Sequence, residues 1–135
     1  MRRILLLGAG LAALSAFPAA ASETKVARPE LVLRDVVAGM PKGDQQEVRV
    51  FTATLDSGDR TPFHTHRFPV TVYVLEGAFT LEMEGRAPVT IRAGEASIEP
   101  PNVRMTGSNQ SGGTTRLVIV YVSEPDTPFL DPVHH

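Results

Sequence analysis

The chain has 135 residues, with 13 basic and 15 acidic side chains, four His and no Cys. The length fits one domain, and the lack of Cys excludes a disulfide scaffold, a thiolate zinc site, a cysteine nucleophile and a blue-copper centre. A formal charge of −2 with two Tyr and no Trp offers neither the basic groove nor the stacking surface that nucleic acid requires, so no nucleic-acid partner is expected.

In chain order, Arg2 and Arg3 precede an uncharged run from Ile4 to Leu14, and Pro18 leads into Ala19-Ala20-Ala21. That is the layout of a secretory signal peptide over residues 1–21, cleaved before Ser22, with an apolar stretch too short to span a bilayer comfortably. The product is expected in the periplasm or secreted, with no stable membrane insertion after cleavage. Losing the two arginines leaves 11 basic against 15 acidic side chains. Residues 22–30 read as a flexible lead-in.

No later window holds an apolar stripe at helical spacing, and Pro and Gly recur throughout. Period-two alternation is present instead: in Phe79-Thr80-Leu81-Glu82-Met83-Glu84 the apolar residues fall on odd positions, so one face is core and the other is water. Further strands are predicted over Leu31–Val37, Glu47–Leu55, Thr71–Leu75, Val89–Ile91 and Thr115–Val122, all rich in β-branched residues. Turns are expected at Asp56-Ser57-Gly58-Asp59, Glu76-Gly77, Glu84-Gly85, Ala93-Gly94 and Ser111-Gly112-Gly113. Many short strands cut by Gly and Pro mean an all-β sandwich or small barrel over 31–123. The segment 124–135 is rich in Pro and cannot be a central strand. It reads as an extended tail over the barrel, with Phe129 and Leu130 to bury.

His64-Thr65-His66 sets two imidazoles on one face of a strand, close enough to chelate one ion. Gly58 stands six before His64, Gly77 eleven after His66, and Gly94 is followed by Pro100 and Asn109. With these residues the sequence resembles the cupin superfamily, whose motifs run G-x5-H-x-H-x3-4-E-x6-G and G-x5-P-x-G-x2-H-x3-N. The resemblance implies a double-stranded β-helix, a jelly-roll barrel with its site in the mouth. It also implies, as a family habit, pairing into a homodimer. Val70 stands where the family has its glutamate ligand, Asn102 where it has a glycine, and Met105 where it has its third histidine. Asn also accepts positive φ, so the second exchange is tolerable.

Among other carboxylates, Glu76 belongs to a turn, and Glu82 and Glu84 alternate with core-facing residues. Glu99 flanks the proline turn; parity does not exclude it, but it is not taken as a ligand. The expected metal set is therefore His64, His66 and Met105, completed by His134 if the tail folds back; the alternative for His134 and His135 is a solvated terminus. Phe63, Val70, Val72 and Tyr73 are expected around the ligand pocket. Two imidazoles and a thioether favour copper, with oxidative chemistry if the site is catalytic. The alternative is a metal-free cupin module binding a small molecule in an apolar pocket. Arg67, Arg104 and Arg116 are either anion-binding groups near the mouth or ordinary surface. Asn109-Gln110-Ser111 matches a glycosylation sequon.

Overall fold

The computed structural model describes residues 13–134 and carries the chain through short antiparallel strands from Glu47 to Pro132. They are β1 (Glu47–Leu55), β2 (His64–Thr65), β3 (Val70–Glu76), β4 (Ala78–Met83), β5 (Val89–Arg92), β6 (Ala96–Glu99), β7 (Met105–Ser108), β8 (Thr115–Ser123) and β9 (Asp131–Pro132). There is no helix among the described residues, so none is long and apolar enough to cross a membrane. One sheet runs β1-β8-β3-β6 and the other β5-β4-β7-β2-β9. The core lies between them: Val70, Val72, Val74, Leu117 and Tyr121 from the first sheet meet Phe79, Leu81, Ile91 and Met105 from the second.

The strands β1, β3 and β8 bury alternate residues over most of their length, as half-covered antiparallel sheets do, whereas β4 buries Thr80 along with Phe79 and Leu81. In β8, Thr115, Leu117, Tyr121 and Ser123 are buried while Arg116 is exposed. In β4, Phe79 and Leu81 are buried, and Glu82 pairs outward with Arg60 at 3.0 Å. The chain changes sheets between β3 and β4 through Gly77 alone, at φ +75°; a Cβ there would sit 2.5 Å from the Thr114 carbonyl oxygen. Only glycine meets both demands. Asn109 is fully buried and ties the far end. Its Nδ2 donates to the Leu55 and Gly113 carbonyls, and its Oδ1 accepts from the Ser111 amide and hydroxyl. A side chain so enclosed is no acceptor for a glycan. Asn102 adopts φ 59°, the conformation that lets it stand in for glycine.

The strand predicted over Leu31–Val37 does not form. Leu31 is 76% exposed and Val36 95%, and an open groove separates Leu31 and Val32 from β5 and β6. Strand propensity expresses itself only where a neighbouring strand accepts the backbone, and this run has none. Residues 13–46 carry no helix or strand. Residues 1–12 of the expected signal peptide lie outside the described residues, as does His135.

Candidate metal centre

The site is built from three places in the chain. His64 begins β2 and His66 follows two residues on, both buried. Glu99 ends β6, also buried, on the opposite sheet. Their ligating atoms lie within 4.8 Å of one another. His64 Nε2 is 3.1 Å from His66 Nε2, and His66 Nε2 is 3.1 Å from Glu99 Oε2.

The other ring nitrogens decide what those atoms are. His64 Nδ1 lies 2.6 Å from the Pro62 carbonyl oxygen and His66 Nδ1 2.6 Å from that of Phe129. A carbonyl only accepts, so each Nδ1 carries the proton and donates it. In their neutral forms both Nε2 atoms are then bare lone pairs, facing each other and a carboxylate oxygen. Three acceptors converge with no donor among them. A cation resolves that arrangement, and imidazoles whose Nδ1–H is held by a carbonyl are the usual form of metal-ligating histidine. Burial in this setting holds His64 below its ordinary value of 6.5; the neighbouring His66 pushes the same way, while the Pro62 carbonyl and Glu99 oppose it. The neutral, ligating form is favoured.

Glu99 is the candidate ligand that sequence reasoning set aside. In β6 the apolar Ala96 and Ile98 alternate with Ser97 and Glu99, so hydrophobicity alone would turn Ile98 inward. The register does the opposite: Ser97 lies opposite Val72 and Glu99 opposite Val70, and directly paired residues share a face. Val72 and Val70 face the core, so Glu99 does too. The carboxylate missing at position 70 is therefore supplied by its cross-strand partner.

Met105 lies opposite His64 in the β2–β7 pair and is fully buried. It belongs to the hydrophobic core and is not part of the lining of the adjoining cavity. That cavity, about 70 Å³, is lined by His64, His66 and Glu99 and otherwise mainly by apolar groups, among them Val72, Phe79, Ile119 and Leu130. At ~30 Å³ per water it has room for roughly two. Gly107 forms one wall, where a Cβ would meet the Phe79 ring at 2.0 Å. Of the expected pocket residues, Val72 lines the cavity, whereas Phe63, Val70 and Tyr73 do not. Tyr73 alternates with the core-facing Val72 and Val74, so it turns to the other face. Val70 is in the core.

The tail does fold over the mouth, but His134 is exposed and stands outside the His64–His66–Glu99 group. Strand β9 runs antiparallel to β2, setting Asp131 opposite Thr65 and Pro132 opposite His64, and the Val133 amide donates to the Phe63 carbonyl at 2.9 Å. By residue 134 the chain is moving away from His66. What the tail brings to the site is Phe129 and Leu130. Arg67 pairs with Asp131 and Arg104 with Glu84.

A family model for the cupin domain matches residues 51–121. The chain is a cupin. Solved structures agree on the fold. An RmlC-like cupin family protein with a double-stranded β-helix fold from Methanocaldococcus jannaschii gives a TM-score of 0.55 at 20% identity, over 69% of this chain and 94% of that one. A double-stranded β-helix protein from Klebsiella pneumoniae gives 0.57 at 16% identity, over 77% and 92%. The DMSP lyase DddQ from Ruegeria pomeroyi gives 0.54 at 17% identity, over 60% and 41%. This cupin thus spans about two fifths of the lyase chains it matches. No curated protein matches its sequence.

Proposed function

We propose that this cupin is an exported metal-binding protein that holds a divalent first-row ion through His64, His66 and Glu99 and presents it to a small ligand in the apolar cavity. The observation that carries the reading is the convergence of two bare Nε2 atoms and a carboxylate oxygen, with both Nδ1–H groups tied to carbonyls. The case for copper rests on a thioether donor from Met105. Two imidazoles and a carboxylate are a harder set and match in donor type the two-His, one-carboxylate ligands used for non-haem iron(II), so iron(II) is placed before copper. An ion so held supplies Lewis acidity and open coordination positions. The protein's own part is to fix both imidazole tautomers, to bring a carboxylate from β6, and to keep the chamber small and mainly apolar. The likeness to DMSP lyases is one of fold and does not carry their reaction here.

The competing reading is a metal-free module in which one Nε2 carries a proton, a role the 3.1 Å contact between His66 and Glu99 also fits. Elemental analysis of protein expressed with its N-terminal export segment and purified without chelators separates the two. Near-stoichiometric metal in wild type, lost in Glu99→Gln and kept in Met105→Ala, is the expected result. No metal bound, with added iron(II), manganese, zinc and copper all ignored, would refute it. Export is tested by whether the chain isolated from the periplasm or medium begins at Ser22.

A further inference from the structure

We propose that the C-terminal segment Phe129–Asp131 is a positioning element for the metal centre, with the Phe129 carbonyl fixing the tautomer of His66 and the Arg67–Asp131 ion pair clasping that carbonyl in place. The inference rests on the metal reading for its consequence, but its structural part stands without any ion. The two imidazoles are held in different ways. His64 leans on the carbonyl of Pro62, two residues away in its own loop, whereas His66 leans on a carbonyl that arrives from 63 residues further along the chain. His66 is also the group in direct contact with both other ligands. The more central ligand therefore depends on the more remote support.

The segment that supplies it has several ties. Arg67 donates to Asp131 through both Nε and Nη2, at 2.9 and 3.0 Å. That fork geometry fixes orientation as well as distance. The Phe129 ring packs against Phe51 in a tilted contact, centroids 4.6 Å apart, and meets Tyr121 at 5.5 Å and His66 itself at 5.1 Å. Arg67 directly follows His66 and Asp131 lies two residues after Phe129, so the ion pair spans the hydrogen bond it protects. The clasp is exposed at both partners, which leaves it open to charge reversal without disturbing the core. Freed from the carbonyl, neutral His66 can place its proton on Nε2, toward Glu99, and a protonated Nε2 is no ligand.

The test uses the full chain, metal-free at pH 8, with long-range ¹H–¹⁵N correlation spectra of the imidazoles. In wild type both histidines should show a protonated Nδ1 and a bare Nε2. In Asp131→Arg, His66 should shift toward the Nε2–H tautomer while His64 stays unchanged as the internal control. Iron(II) or zinc affinity should fall about 10- to 100-fold, as for loss of an outer-shell partner. The charge swap Arg67→Asp with Asp131→Arg should restore both readouts. Truncation after Pro128 should reproduce the single variant, and Phe129→Ala, which keeps the carbonyl, should retain the tautomer. An unchanged His66 spectrum in Asp131→Arg and in the truncation overturns the proposal. If truncation prevents folding, Asp131→Arg alone decides. A His66 shift without metal binding in wild type upholds the positioning role and retires the metal reading instead.

Discussion

Replacing Glu99 by Gln keeps the shape of a buried side chain, removes its charge and lets its amide donate to the bare Nε2 of His66, 3.1 Å away. The metal-free protein should be no less stable for it, since a converging set of acceptors gains a donor. Metal binding should move the other way. Outer-shell partners cost 10- to 100-fold in affinity when lost, so removing a direct ligand should cost at least about 100-fold, or ~2.7 kcal/mol. Linkage turns that into a thermal signal: at free metal 100 times the wild-type Kd the bound ion stabilises by about 2.7 kcal/mol, and under the same conditions Glu99→Gln gains only about 0.4. For a strand-bearing domain of this size the shifts in Tm are about 10–20 °C and about 2–3 °C respectively. Scanning calorimetry with and without metal reads both. Moving the carboxylate across the strand pair, with Val70→Glu and Glu99→Val together, should recover much of the shift, because positions 70 and 99 are register partners on one face. Equal shifts in wild type and Glu99→Gln would refute the assignment of Glu99 as a ligand.

Three further outcomes follow from the same structure. Because the folded state holds His64 below 6.5, the unfolded chain binds the extra proton first; metal-free stability should be flat above about pH 6.5 and fall as pH drops below it. Urea midpoints between pH 8 and pH 5 check this, and a rise on acidification would contradict it; the Arg67-lowered Asp131 acts only below its ordinary 3.8. Asn109→Ala removes a donor from the buried Leu55 carbonyl and from that of the exposed Gly113 and should cost about 1–3 kcal/mol in urea unfolding, whereas loss of a surface amide would cost almost nothing. At Asn102, with φ 59°, Gly should be neutral or slightly stabilising, while Ala should cost about 1 kcal/mol by the same measurement.

How legible the molecule was depends on the range of the interaction concerned. Alternation in Phe79–Met83 and the β-branched runs of β1, β3 and β8 mark strands because a side-chain period of two is a local property. The same holds for His64 and His66, two residues apart, and for Gly77 and Asn102, whose backbone conformations are set by their own sterics. Leu31–Val37 shows the limit, being strand-like in composition and left without a partner. Glu99 shows it more sharply. Parity does not exclude it, but nothing within a few residues says that it faces inward; only the pairing of β6 with β3 decides.

The sequence by itself therefore determined that this is an all-β cupin with an H-x-H pair, because spacing, glycine positions and alternation are written along the chain. The tertiary structure brought Glu99 to that pair through strand register, buried Met105 opposite His64, and left His134 exposed. The tail over the barrel, with Phe129 and Leu130 to bury, is legible from its prolines and apolar pair; that its Phe129 carbonyl reaches His66 is not. Register and that carbonyl's place are contacts between residues tens of positions apart, and no local pattern encodes them.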